Sequence, residues 1–132
     1  MKVSEGMSTI VLTVGPDQPI RDVAKQMVQR AVGAAIVVDP DGSGPGIVTE
    51  RDILGAYAEE RVTGDDPVRD YTTQRVVLAA PDWSLERAAD EMVRGSFRHL
   101  IVVAGGEIVG VLSMRDIVTC WARDGATSEM PA

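Results

Sequence analysis

The chain has 132 residues, enough for one domain or a pair of small ones, with 45% hydrophobic and 25% charged residues and a formal net charge of -7. Most of such a surface repels polyanions, which disfavours nucleic acid as a direct partner. No apolar run approaches the ~20 residues that cross a bilayer, and Met1 to Gly6 lacks the basic and apolar regions of a signal peptide, so a cytoplasmic protein with no membrane partner is expected.

In chain order, "IVLTV" (10–14) reads as a short strand, and Ile20, Val23, Ala24, Met27 and Val28 then recur at helical spacing as a buried face. Pro19 is compatible with a helix start near residue 20, because the first helical positions need no backbone donor. "AAIVVD" (34–39) is a continuous aliphatic run suited to a core strand covered on both faces. The turn "PDGSGPG" (40–46) leads into a returning strand at "IVT", and a last helix is predicted from "TERD" (49–52) through Val62. The same order follows again. "RVVLA" (75–79) is a strand, and Ser84 caps a helix whose buried face is Leu85, Ala88, Ala89, Met92 and Val93. "LIVVA" (100–104), the turn "AGGE" (104–107) and "IVGVLS" (108–113) form a hairpin, and a helix starts at "SMRD" (113–116). Residues 123–132 read as a frayed tail.

The two series are copies of one unit. Shifted by 65 positions, "VSEGM" (3–7) falls on "VRDYT" (68–72) and "PDQPIRDVAKQMV" (16–28) on "PDWSLERAADEMV" (81–93). After a one-residue difference in the Gly-rich turn, "GIVTERDIL" (46–54) matches "GVLSMRDIV" (110–118). The fold class is therefore α+β, as two pseudo-symmetric strand-helix-strand-strand-helix repeats at 3–62 and 68–122. A half of about sixty residues buries only ~60% of its unfolded surface, so each half is expected to need the other.

That order, with Thr or Ser three residues before Asp at the last strand-to-helix junction, resembles the cystathionine β-synthase (CBS) domain, which occurs in tandem as a Bateman module. The resemblance covers residues 3 to 122. It implies two sheets packed pseudo-symmetrically, clefts between them for adenine nucleotides, and dimerisation into a disc.

Thr49 with Asp52, and Ser113 with Asp116, also match the capping box, in which hydroxyl and carboxylate satisfy unpaired amides at a helix start. A second role is open to each Asp. A carboxylate can accept from two neighbouring hydroxyls and so grip a ribose. The resemblance implies that contact for Asp52 and Asp116, with Thr49 or Ser113 near the sugar or phosphate, beside a helix start that favours anions. Phosphate calls for cations. "FRHLIVV" (97–103) offers Arg98, whose guanidinium can fork onto two phosphate oxygens, and His99, only partly charged at neutral pH. Alternatively, Arg98 pairs with a surface acid such as Glu91 and His99 is a loop residue. The first copy has Gly33 and Ala34 at those positions, so one favoured site or two unequal ones are expected. Arg51 and Arg115 are further phosphate candidates or solvated helix residues. Trp83 either covers an adenine or packs on its own loop. Tyr57, Cys120 and Trp121 lie on the last helices, a candidate homodimer face.

No enzyme activity is expected. There is no GxSxG elbow, no P-loop Lys, no catalytic pair, no resident cofactor and no metal set, since Cys120 and His99 are the sole residues of their types. The function implied is an adenine-nucleotide sensor for AMP, ADP or ATP, read by an unknown effector protein or through a dimer. Two alternatives stand beside it: an interaction module without a ligand, and a binder of S-adenosylmethionine or NAD.

Overall fold

The computed structural model describes residues 1–42, 44–59 and 63–124. Its elements are α1 (Val3–Gly6), β1 (Thr13–Val14), α2 (Ile20–Arg30), β2 (Ala34–Val37), β3 (Gly46–Thr49) and α3 (Glu50–Ala58). A 3₁₀ turn (Val68–Tyr71) follows, then β4 (Leu78–Ala79), α4 (Leu85–Gly95), β5 (His99–Ala104), β6 (Glu107–Ser113) and α5 (Met114–Arg123). The order strand, helix, strand, strand, helix thus occurs twice. Residues 60–62 of the helix predicted through Val62, and the tail from residue 125, lie outside the described residues.

The chain forms two compact units, and they are not cut where the sequence copies are. One is Val11–Val76; the other joins Met1–Ile10 to the chain from Val77 onward. In the Val11–Val76 unit β1 pairs parallel with β2, and β2 antiparallel with β3, with Ala35 opposite Val48. In the other unit β4 pairs parallel with β5, and β5 antiparallel with β6, with Leu100 opposite Leu112. Alternate residues of β2 and β5 face opposite sides of a sheet. Ala35, Ile36 and Val37, like Leu100, Ile101 and Val102, are all buried, which explains why both strands read as unbroken aliphatic runs.

The opening segment of each copy completes the core of the other copy's unit. Val3 packs in the cluster of Leu85, Met92, Leu100, Leu112 and Ile117, whereas Val68 packs with Leu12, Val23, Met27, Val37 and Val48. The backbone follows suit. Ser8 and Val111 exchange hydrogen bonds of 2.9 and 3.0 Å, and the equivalent Thr73 and Ile47 exchange bonds of 2.9 and 3.0 Å. Both segments pass over a glycine. A Cβ at Gly110 would lie 2.8 Å from the Ser8 carbonyl oxygen, and one at Gly46 would lie 3.1 Å from that of Thr73, so a side chain at either place would displace the crossing segment. Strands expected at 10–14 and 75–79 shrink to two residues each for the same reason: the chain changes unit between Ile10 and Val11 and between Val76 and Val77, leaving the upstream part of each run no sheet to join.

These segments also finish the helix starts. Pro19 offers α2 no side-chain cap, and the Ile20 and Arg21 amides donate instead to the carbonyls of Asp66 and Gly64, at 2.8 and 3.0 Å. In α4 the Leu85 amide donates to the Met1 carbonyl at 3.0 Å, and Ser84 accepts from the Arg87 amide as expected. Both helices stop on a left-handed residue at equivalent positions, Ala31 and Ser96. The predicted helix faces need one correction: Val28 and Val93 are exposed. Each lies about 80° around the helix from the first residue of its buried row, past a stripe carried by Ile20, Val23 and Met27, or by Leu85, Ala88 and Met92.

The loop that caps α2 is held by Asp66, whose Oδ2 accepts from the Thr63 amide at 3.1 Å and the Tyr71 hydroxyl at 2.9 Å. The Thr63 amide first, and the Tyr71 hydroxyl second, hold this carboxyl below the ordinary aspartate range. A carboxyl depressed in the folded state stabilises above its unfolded pKa and loses that contribution as pH falls through the folded one. Tyr71→Phe should therefore lower stability at neutral pH and converge on the wild type in acid, a trend readable from urea midpoints across the acidic range. A pH-independent difference would remove Asp66 from the account.

Candidate functional site

Each unit carries one strand-to-helix junction built alike. At the end of β3, Thr49 Oγ1 accepts from the Asp52 amide at 3.2 Å, and Asp52 Oδ2 accepts from the Thr49 amide at 2.9 Å. At the end of β6, Ser113 Oγ accepts from the Asp116 amide at 3.0 Å, and Asp116 Oδ2 accepts from the Ser113 amide at 2.8 Å. Both are complete capping boxes, so the structural role of the repeated motif is present in both copies. These bonds use Oδ2 of each carboxylate. Oδ1 makes no hydrogen bond among the described residues, and a carboxylate oxygen accepts more than one donor. All four side chains are half-buried.

The first helical amide ties each junction to the loop ahead of the middle strand. Met114 donates to the Arg98 carbonyl at 2.8 Å, and Glu50 to the Gly33 carbonyl at 2.9 Å. His99 stands opposite Ser113 in the β5–β6 register, as Ala34 stands opposite Thr49 in β2–β3. The fold thus gathers Arg98, His99, Ser113, Arg115 and Asp116 at one junction of the unit that begins at Met1, and Thr49, Arg51 and Asp52 at the junction of the other. Arg98, Arg115 and Arg51 are exposed, and none pairs with an acid among the described residues. The pairing of Arg98 with Glu91, entertained from sequence, is not formed.

The two junctions differ in charge more than the missing cation alone implies. Gly33 leaves room for Glu50, whose carboxylate oxygen lies 3.3 Å from where a glycine-33 Cβ would be. The equivalent of Glu50 is Met114. One junction therefore carries Arg98 and Arg115 against Asp116, and the other Arg51 against Glu50 and Asp52. Their net charges have opposite sign. Glu50 was missed as a candidate, although the second letters of TERD and SMRD displayed the difference. Trp83 is accounted for within its own unit: the Arg87 guanidinium stacks 3.8 Å from its ring centroid, and its carbonyl accepts from the Val3 amide at 2.8 Å.

A family model for the CBS domain matches residues 3–59 and again 68–122. The chain is a CBS-domain pair. Among relatives of this pair are an uncharacterised protein of Acidianus ambivalens, 36% identical over 117 residues (88% of this chain, 70% of that protein), and a CBS domain-containing protein of Bacillus subtilis, 34% identical over 115 residues (87% and 81%). A relative in Methanocaldococcus jannaschii, 30% identical over 128 residues, is longer, and the pair spans 45% of it. Among solved structures, a CBS domain protein of Pyrobaculum aerophilum complexed with AMP is 31% identical with a TM-score of 0.78, covering 93% of this chain and 99% of that one. CBS domains are non-catalytic regulatory modules, and the pair is not an enzyme. Among the described residues, no helix is long and apolar enough to cross a membrane.

Proposed function

We propose that this CBS pair is a regulatory module that binds an adenine nucleotide, AMP, ADP or ATP, at the junction of Ser113 and Asp116, and signals through a homodimer or an effector protein. One observation carries the reading: at that junction a carboxylate with an uncommitted oxygen stands at a helix start whose neighbouring cations, Arg98 and Arg115, have no acidic partner among the described residues. Asp116 takes the ribose, Ser113 and the helix amides the sugar–phosphate edge, Arg98 and His99 the phosphate, and Arg115 adds charge. The AMP complex of the P. aerophilum protein supports the ligand class. The junction of Thr49, Arg51 and Asp52 is the weaker site, because Glu50 opposes phosphate there. To act as a signal, the nucleotide binds two arrangements of the protein with different affinity. The cell location that fits is the cytoplasm, where these nucleotides are found.

The capping boxes favour a second reading, in which both aspartates serve their helices alone and the pair is an interaction module. Thermal unfolding with AMP, ADP, ATP, S-adenosylmethionine and NAD separates the two. A ligand at about a hundredfold over Kd adds ~2.7 kcal/mol to the native state, a rise of several degrees in Tm for a chain of this size. Asp116→Ala should abolish most of the AMP-dependent rise, and Asp52→Ala should reduce it less, although each also removes a cap worth about 1 kcal/mol and lowers the ligand-free Tm. No rise with any of the five ligands supports the interaction module; a rise confined to S-adenosylmethionine or NAD reassigns the ligand.

A further inference from the structure

Arg98, the cation assigned to phosphate, follows a turn that is built differently in the two copies. Each turn leaves its helix through a left-handed residue, Ala31 or Ser96. The next amide donates back to the helix at 3.0 Å, Val32 to the Met27 carbonyl and Phe97 to the Met92 carbonyl. The side chains then part. Val32 packs against the apolar core of its unit. Phe97 is half-buried but lies outside the core cluster of its own unit, and its ring folds back over Gly95, filling the space that a side chain there would occupy. The residue equivalent to Gly95 is Arg30, and the residue equivalent to Arg98 is Gly33. The ring-on-glycine seat thus belongs to the copy that carries the cation.

Its consequence falls on the Arg98 backbone. On one side Phe97 is pinned to the last turn of α4 by its amide and its ring, and on the other the Arg98 carbonyl accepts from the Met114 amide at 2.8 Å. The guanidinium is exposed, and no ion pair among the described residues orients it, which leaves the backbone to set the point from which it reaches. Fixing a long side chain on binding costs affinity, and a backbone already held in place lowers that cost.

We propose that Phe97, seated on Gly95, is a positioning residue for phosphate: it holds the Arg98 backbone where the guanidinium can reach a nucleotide phosphate at the junction of Ser113 and Asp116. This role rests on the nucleotide reading above and adds to it a residue that acts through Arg98 without touching the ligand.

Isothermal titration of the full chain with AMP and with adenosine tests it. Phe97→Ala should weaken AMP binding roughly three- to tenfold and leave adenosine unchanged, since the lost anchorage bears on phosphate alone. Gly95→Ala should do the same with Phe97 still present, because the new methyl takes the place of the ring while suiting a helix better than glycine does. Phe97→Tyr keeps the ring and should bind AMP as wild type does. In an Arg98→Ala background, Phe97→Ala should change AMP affinity no further, the two residues acting as one unit. Circular dichroism confirms that each variant is folded, as expected for a ring outside the core. Full AMP affinity in Phe97→Ala or Gly95→Ala, an equal loss for adenosine, or a further loss in the Arg98→Ala background overturns the positioning role while AMP binding itself stands. A wild type that does not bind AMP overturns the nucleotide reading and this role together.

Discussion

Val3→Asp is expected to cost about 3–5 kcal/mol, well above the usual effect of a single substitution. Val3 is fully buried among Leu85, Met92, Leu100 and Leu112, and replacing it removes a valine burial worth about 1.5–3 kcal/mol and sets a carboxylate against these aliphatic side chains. Its neighbours are tied down as well: the Val3 amide donates to the Trp83 carbonyl at 2.8 Å and the Ser4 amide to the Pro81 carbonyl at 2.9 Å. Trp83 and Trp121, the two tryptophans of the chain, both belong to the unit that Val3 completes, so tryptophan fluorescence during urea unfolding reports that unit directly. The exposed neighbour provides the control, and Ser4→Asp should stay within about 0.5 kcal/mol of wild type. Equal effects from the two substitutions would remove Val3 from the core.

Arg98→Ala should weaken AMP binding roughly tenfold to a hundredfold and leave adenosine unchanged, since a charge-assisted hydrogen bond is worth about 1.5–3 kcal/mol and adenosine has no phosphate to receive it. The exposed guanidinium has no ion-pair partner among the described residues, so little stability should be lost with it and a changed affinity is not secondary to unfolding. Isothermal titration with both ligands makes the comparison. Equal losses for AMP and adenosine would argue that Arg98 acts on the shape of the site and not on phosphate. The same substitution bears on the inequality of the two junctions. If Glu50 repels phosphate, Arg98→Ala leaves no phosphate site of comparable strength; residual AMP binding at wild-type affinity would place the nucleotide at Asp52 instead.

The repeated element order, the helix starts at residues 20 and 85 and the two capping boxes were legible because each depends on residues close together in sequence. Apolar spacing marks a helix face, and a hydroxyl three residues before a carboxylate marks its start. The exchange of opening segments was not legible. Val3 and Val68 are the same residue type at equivalent positions, so each satisfies either core equally in the sequence, and the choice rests on contacts that span most of the chain. The exposure of Val28 and Val93 was missed because valine counts as apolar wherever it falls on the helix. At the junctions, sequence pairing identified the aspartates and the lack of a first-copy cation, but the placement of Glu50 over Gly33 depends on the Glu50 amide docking on the Gly33 carbonyl.

The exchange of segments also sets a timetable for synthesis. Emerging N-terminus first, the chain has every residue of one core once Val76 has left the ribosome, since that unit is continuous from Val11. Residues 1–10 are made before that unit and seated after it, waiting for the strands and helices beyond Val77 that receive them.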